Sequence, residues 1–193
     1  MGAQQHLTAT RVSRTGARER AGRRVSVNRA PVLTLWAAIV AERLGFDRDE
    51  ALTLGRAVAG LNAYAKGKAL GLFKPAPESV RSERQRLTAG HRLHVDLLHR
   101  AVPVARTSAG LRALLHDRPM NPDSVQHYLE GKFGDALPAV EQAMLALANG
   151  LSPDELDRRA FELYEAFRPE VPAGTRGWGA AGLLDLDRIR AAA

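Results

Sequence analysis

Between Pro31 and Leu44 the chain runs PVLTLWAAIVAERL, with only Thr34, Glu42 and Arg43 polar. A helix that is apolar nearly all round has no face to offer water, so it must be enclosed by other elements. It falls short of the roughly 18 apolar residues of a membrane span, so its place is a protein core. Pro31 suits the first turn of such a helix and Gly45 its C-terminal cap. Asp47 then caps a second helix, with Glu50 three residues on completing a capping box. In that helix Ala51, Leu54, Val58, Leu61 and Ala65 share one face. Gly55, Ala59 and Gly60 leave room for close helix approach, which offsets the low helix propensity of glycine. The stretch Asn28–Lys66 therefore predicts a tight helical hairpin around which the rest of the chain is arranged.

Beyond the hairpin, Gly67 and Gly71 are expected to end the second helix, and Pro75 and Pro77 mark a loop. Residues 78–89, ESVRSERQRLTA, suit a short polar helix. Leu93, Val95 and Leu97 alternate with His94 and Asp96 as in a strand. Residues 101–106 suit a second short strand, and 110–115 a third strand or a helical turn. Asn121-Pro122, Asp135 and Ser152-Pro153 mark three helix starts, with helices expected to about Lys132, Ala148 and Phe167. LLDLDRIRA (183–191) has the spacing of a short closing helix. Ala, Leu and Arg are abundant and aromatics make up only 5% of the chain, which favours helix over sheet. The predicted class is mainly α: a helical domain around a buried hairpin (31–66), with a small β element near 92–115.

The net charge of +7 is not spread evenly. Residues 1–30 hold seven arginines against Glu19 alone. Residues 66–106 hold nine basic groups and three acidic ones, while 107–193 are net acidic. Residues 1–29 are polar, Arg-rich and without apolar periodicity, so they are expected to form a disordered basic arm: a phosphate-seeking tail, a dispensable extension or, ranked below these, a segment that resembles an organelle transit peptide. Residues 30–193 are expected to form one mostly helical domain, with a core and basic hairpin over 30–120 and an acidic helical part over 121–193. The absence of cysteine excludes disulfides, thiolate nucleophiles and Cys-based zinc sites. No apolar segment suits a signal peptide or a span, which predicts a cytoplasmic protein away from membranes.

Around Gly45 the residues Val40, Ala41, Leu44, Gly45, Phe46, Ala51 and Leu54 fall at the offsets at which helix-turn-helix proteins place apolar and small side chains. VAERLGFDRDEALTLGRA thus resembles a helix-turn-helix unit over about 20 residues, which implies DNA binding. The pattern departs from that family where the second helix begins. Asp47, Asp49 and Glu50 stand against Arg48 alone, and DNA phosphates repel acids. Nucleic-acid contact is therefore expected from the flanking basic groups: Lys66, Lys68, Arg81, Arg84, Arg86 and Arg92 in the block, and Arg23 and Arg24 in the arm. The bland reading of the block is a solvated face that pairs with the acidic C-terminal part.

Chemistry finds little else to stand on. His91, His94, His99 and Asp96 match no standard ligand spacing, and a polar strand face accounts for them, so no metal is expected. No serine has a nucleophile-elbow frame, no catalytic residue is assigned and no cofactor is expected. Trp178, in a Gly-rich segment, is a candidate anchor for a partner or for the chain's own tail. The sequence points to a non-enzymatic DNA-binding or regulatory protein. The alternative is a helical protein that binds a protein partner or its own copies.

Overall fold

The computed structural model describes residues 24–71, 93–175 and 180–192. In chain order, β1 (Arg24–Val27) leads into α1 (Arg29–Arg43) and α2 (Arg48–Ala69). Four strands follow: β2 (Leu93–Leu97), β3 (Arg100–Thr107), β4 (Gly110–Leu115) and β5 (Arg118–Pro119). Then come α3 (Pro122–Phe133), a 3-10 turn (Gly134–Ala136), α4 (Leu137–Asn149), α5 (Pro153–Phe167), β6 (Gly182–Asp185) and α6 (Leu186–Arg190).

The apolar helix sits where its composition requires. Every residue of α1 from Pro31 to Ala41 is buried, and α2, α3, α4 and α5 all pack against it. Trp36 fixes α5 with an indole N–H bond to the Ala160 carbonyl at 2.7 Å and an edge-on contact with Phe167, centroids 5.3 Å apart. The corner after α1 is a Schellman turn. The Phe46 N–H bonds the Ala41 carbonyl, the Gly45 N–H bonds the Glu42 carbonyl, and Gly45 takes φ +102°. Asp47 and Glu50 form the expected capping box at the start of α2. The hairpin closes tightly at Gly55, where a Cβ would lie 2.4 Å from the Thr34 carbonyl oxygen.

The expectation of a mainly α fold with a small β element near 92–115 is overturned. Two antiparallel sheets are present: a four-stranded meander in the order β2-β3-β4-β5, and a pair made by β1 and β6. Helix accounts for 59% of the described residues and strand for 21%, a proportion that makes the fold α+β. The meander turns through two-residue hairpins, and Leu98, His99, His116 and Asp117 all have positive φ. The second sheet joins Arg24 to Asp185 and Val27 to Gly182. Its partners lie far apart along the chain, so no local pattern announces it. Regular structure consequently reaches back to Arg24, inside the segment that composition alone marks as an arm.

Three boundaries also move. α2 runs through Gly67 to Ala69, because one buried glycine does not stop a helix that is already packed. Asp135 lies in the 3-10 turn, and α4 starts at Leu137 without a side-chain cap. Residues 182–185 are strand rather than helix, drawn into pairing with β1 and bridged on the other side by Glu170.

The meander leans on α2 through its β4 edge. The Leu111 N–H donates to Glu50 Oε1 at 2.7 Å and the Ala113 N–H to Thr53 Oγ1 at 3.1 Å. Two side chains of α2 thus satisfy a strand edge that β5, only two residues long, leaves open.

Candidate functional site

The start of α2, where a helix-turn-helix unit would read DNA, is engaged within the chain. Asp47 and Glu50 cap the helix, and Glu50 also holds β4. Asp49 accepts from the buried Arg112 guanidinium at 3.1 Å. Arg48 bonds Glu42 and Glu141, each at 2.9 Å. Burial alone would pull the Arg48 guanidinium down, but the hydrogen bonds and charges of Glu42 and Glu141 outweigh it and hold the group above its ordinary pKa. All four residues of this turn are thus accounted for by packing and ion pairs.

A different place stands out at the opposite end of α2. A cleft of about 800 Å³ opens between the first turn of α1, the last turns of α2, the start of β3 and the chain that follows α5. Its apolar lining comes from the buried Leu33 and Ala59, the half-buried Ala63 and Val171, and the exposed Leu70 and Pro172. Four cations line it: Arg29, Lys66, Arg100 and Arg168. Arg168 pairs with Glu165 at 2.6 Å. Arg29 donates to the Pro169 carbonyl at 3.1 Å and Arg100 to the Asn62 side-chain oxygen at 3.1 Å. Among the described residues, neither of these two nor Lys66 is bonded to a carboxylate.

Helix electrostatics adds to this charge. The N-terminal turn of α1 faces the cleft through Asn28, Arg29 and Ala30, with no acidic residue in that turn and no side-chain cap from Asn28. The positive end of the helix dipole therefore reinforces the cations. Tyr164 anchors this corner by donating its hydroxyl to the Arg29 carbonyl at 3.3 Å. Burial, with the Glu165 carboxylate beside it, pushes the phenol well above its ordinary pKa against the pull of Arg29 and Arg168, so it remains a donor. Chemically the cleft combines four cations and a helix N-terminus with apolar lining residues.

Of the residues singled out from the sequence, Lys66 lines this cleft, and Lys68, two residues on, is exposed and is not among the lining residues. Arg24 lies in β1 and pairs with Asp185 at 3.4 Å, so part of its charge serves the small sheet. Arg23, Arg81, Arg84, Arg86, Arg92 and Trp178 lie outside the described residues. Thr175 and Ala180, the nearest described residues on either side of Trp178, both line the cleft. His94 and Asp96 share a face of β2, and no group of three metal-ligating side chains converges among the described residues. Sequence reasoning missed Arg29, Asn62, Arg100, Tyr164 and Arg168 as parts of one site. They come from positions as far apart as 29 and 168, and the only trace in the sequence is that Arg29 and Arg100 belong to its two basic runs.

No helix among the described residues is long and apolar enough to cross a membrane. Comparison with known proteins finds no matching family, no similar curated protein and no similar solved structure.

Proposed function

We propose that the chain is a non-enzymatic DNA-binding or regulatory protein that meets phosphates through its basic block and the rim of the cleft. One observation carries this reading. Lys66 and Arg100 stand near the two ends of the basic run 66–106, yet they line one cleft together with Arg29, and none of the three is bonded to a carboxylate among the described residues. A cation with no carboxylate bonded to it among the described residues keeps net charge to offer to phosphates, whose contacts supply most of non-specific DNA affinity. Lys68, Arg81, Arg84, Arg86 and Arg92 belong to the same run and extend the expected contact, with Arg23 and Arg24 contributing from the N-terminal side.

Mobility shift on generic duplex DNA over a range of salt tests the reading. Four forms are compared: the full chain, a chain lacking residues 1–23, the Arg81→Ala/Arg84→Ala/Arg86→Ala variant and the Lys66→Ala/Lys68→Ala variant. Truncation stops before Arg24 because β1 is part of the fold. Binding should survive truncation and weaken in both variants, with the salt slope reduced by about 0.9 for each phosphate that the variant no longer neutralises. Loss of all binding on truncation would reduce the effect to a cationic tail. No binding by any form at low salt would refute the proposal and favour a protein partner instead.

A further inference from the structure

The phosphate backbone of a duplex has no use for the apolar floor of the cleft. The floor is made by short side chains on α2, Ala59 and Ala63, and Leu33 of α1 and Val171 after α5 also line the cleft. Larger residues on α2 would fill the hollow. As built, it leaves about 800 Å³, within the range of small-molecule sites, and its lining combines apolar residues with a few charged ones. The cations sit around this floor, joined by the positive end of α1. Three of the four lack a carboxylate partner among the described residues, and Glu165 offsets only Arg168. Such an excess is balanced better by a dianion than by a monoanion. A guanidinium, an ammonium and a helix N-terminus are also the donor types that suit phosphate oxygens.

We infer that this cleft binds a small phosphate monoester with an apolar or aromatic body: the phosphate lies against Arg29, Lys66 and Arg100, and the body lies over Ala59 and Ala63. The site is a small-molecule pocket in its own right and does not depend on the nucleic-acid reading. Where both hold, they share Lys66 and Arg100, so the bound ester competes with DNA for the same cations. The structure then supplies a route by which a small ligand releases the protein from DNA.

Calorimetric titration of the full-length protein with three probes tests this: 1-naphthyl phosphate, inorganic phosphate and 1-naphthol. The ester should bind at least tenfold more tightly than either of its parts. Lys66→Ala and Arg100→Ala should each weaken the ester about tenfold, as expected for removal of a charge-assisted hydrogen bond. Ala63→Phe, which fills the floor, should abolish ester binding and leave the weak binding of inorganic phosphate unchanged. Equal affinity for inorganic phosphate would mean a bare basic surface, equal affinity for naphthol a plain apolar slot, and no binding of the ester at millimolar concentration no site at all. Each overturns the inference. The three-probe comparison needs only the wild-type chain, so it decides the matter even if a variant fails to fold. Ester binding without DNA binding sinks the nucleic-acid reading alone, and DNA binding without ester binding sinks this inference alone.

Discussion

Thr53 offers a sharp test of how the sheet is attached to the helical core. Its side chain is completely buried in α2, and its hydroxyl has two jobs. It donates to the Glu50 carbonyl at 2.9 Å and accepts from the Ala113 N–H on the open edge of β4 at 3.1 Å. Thr53→Val keeps the shape and removes both bonds. The Glu50 carbonyl lies inside a helix and keeps its helical partner, so that part of the change costs little. The Ala113 amide has no such reserve. A buried donor left without an acceptor costs about 1–3 kcal/mol. For a chain of this size, 1 kcal/mol moves Tm by about 2–4 °C, so the Val variant should melt roughly 2–12 °C below wild type. Thr53→Ser keeps the hydroxyl and loses one methyl, worth about 0.8 kcal/mol. The more conservative shape should therefore be the more damaging change. Thermal and urea denaturation give the order, and hydrogen exchange gives the site, because protection of the Ala113 amide should fall in the Val variant and persist in the Ser variant. A Val variant as stable as wild type within about 0.5 kcal/mol, with Ala113 still protected, would refute the idea that α2 side chains cap the β4 edge.

Two further substitutions follow from the backbone. Gly55→Ala should destabilise by about 1–3 kcal/mol in urea denaturation, because its Cβ would meet the Thr34 carbonyl oxygen at 2.4 Å and the Ala38 nitrogen at 2.8 Å, and backbone cannot step aside as a side chain would. Gly60→Ala in the same helix meets nothing within 4 Å and should instead stabilise by up to about 1 kcal/mol. His99→Gly in the β2–β3 turn should raise Tm slightly in a thermal melt, since a residue at φ +58° carries a left-handed penalty of about 1–2 kcal/mol that glycine avoids, less the added freedom of the unfolded chain.

The helical hairpin was legible in the sequence because its determinants are local. Gly45, Asp47 and Glu50 specify the corner within six residues, and the apolar run of α1 demands burial whatever surrounds it. Ser152 and Asn121 mark the starts of α5 and α3 for the same reason. The sheets were less legible because pairing is a long-range property. β1 looks like the end of an Arg-rich arm until Gly182–Asp185 arrives beside it, and LLD at 183–185 has helical spacing until the β1 edge claims it. Of the cleft, the sequence showed only Lys66 and the two basic runs that hold Arg29 and Arg100, not their meeting in one place. Arg29, Lys66, Arg100 and Arg168 have no common motif, and the packing of α1 against α2 and α5, with β3 against α2, brings their segments together.

Charge partnership separates the two ends of α2 more sharply than charge sign does. At its start, each of Asp47, Arg48, Asp49 and Glu50 has a hydrogen bond or ion pair within the chain, so acids and bases there stabilise the corner and the sheet edge. At its end, like charges are gathered around an apolar hollow, and of the four cations there only Arg168 has a carboxylate among the described residues. Bringing cations together in this way works against the fold, since each raises the electrostatic cost of its neighbours. Sequences generally agree with their structures at every level, and the local exceptions concentrate where a ligand supplies the missing partner. The acids that spoil the helix-turn-helix pattern and the cations left over at the far end are thus parts of one arrangement. The first group holds the hairpin to the sheet, and in the second Arg29, Lys66 and Arg100 have no carboxylate bonded to them among the described residues.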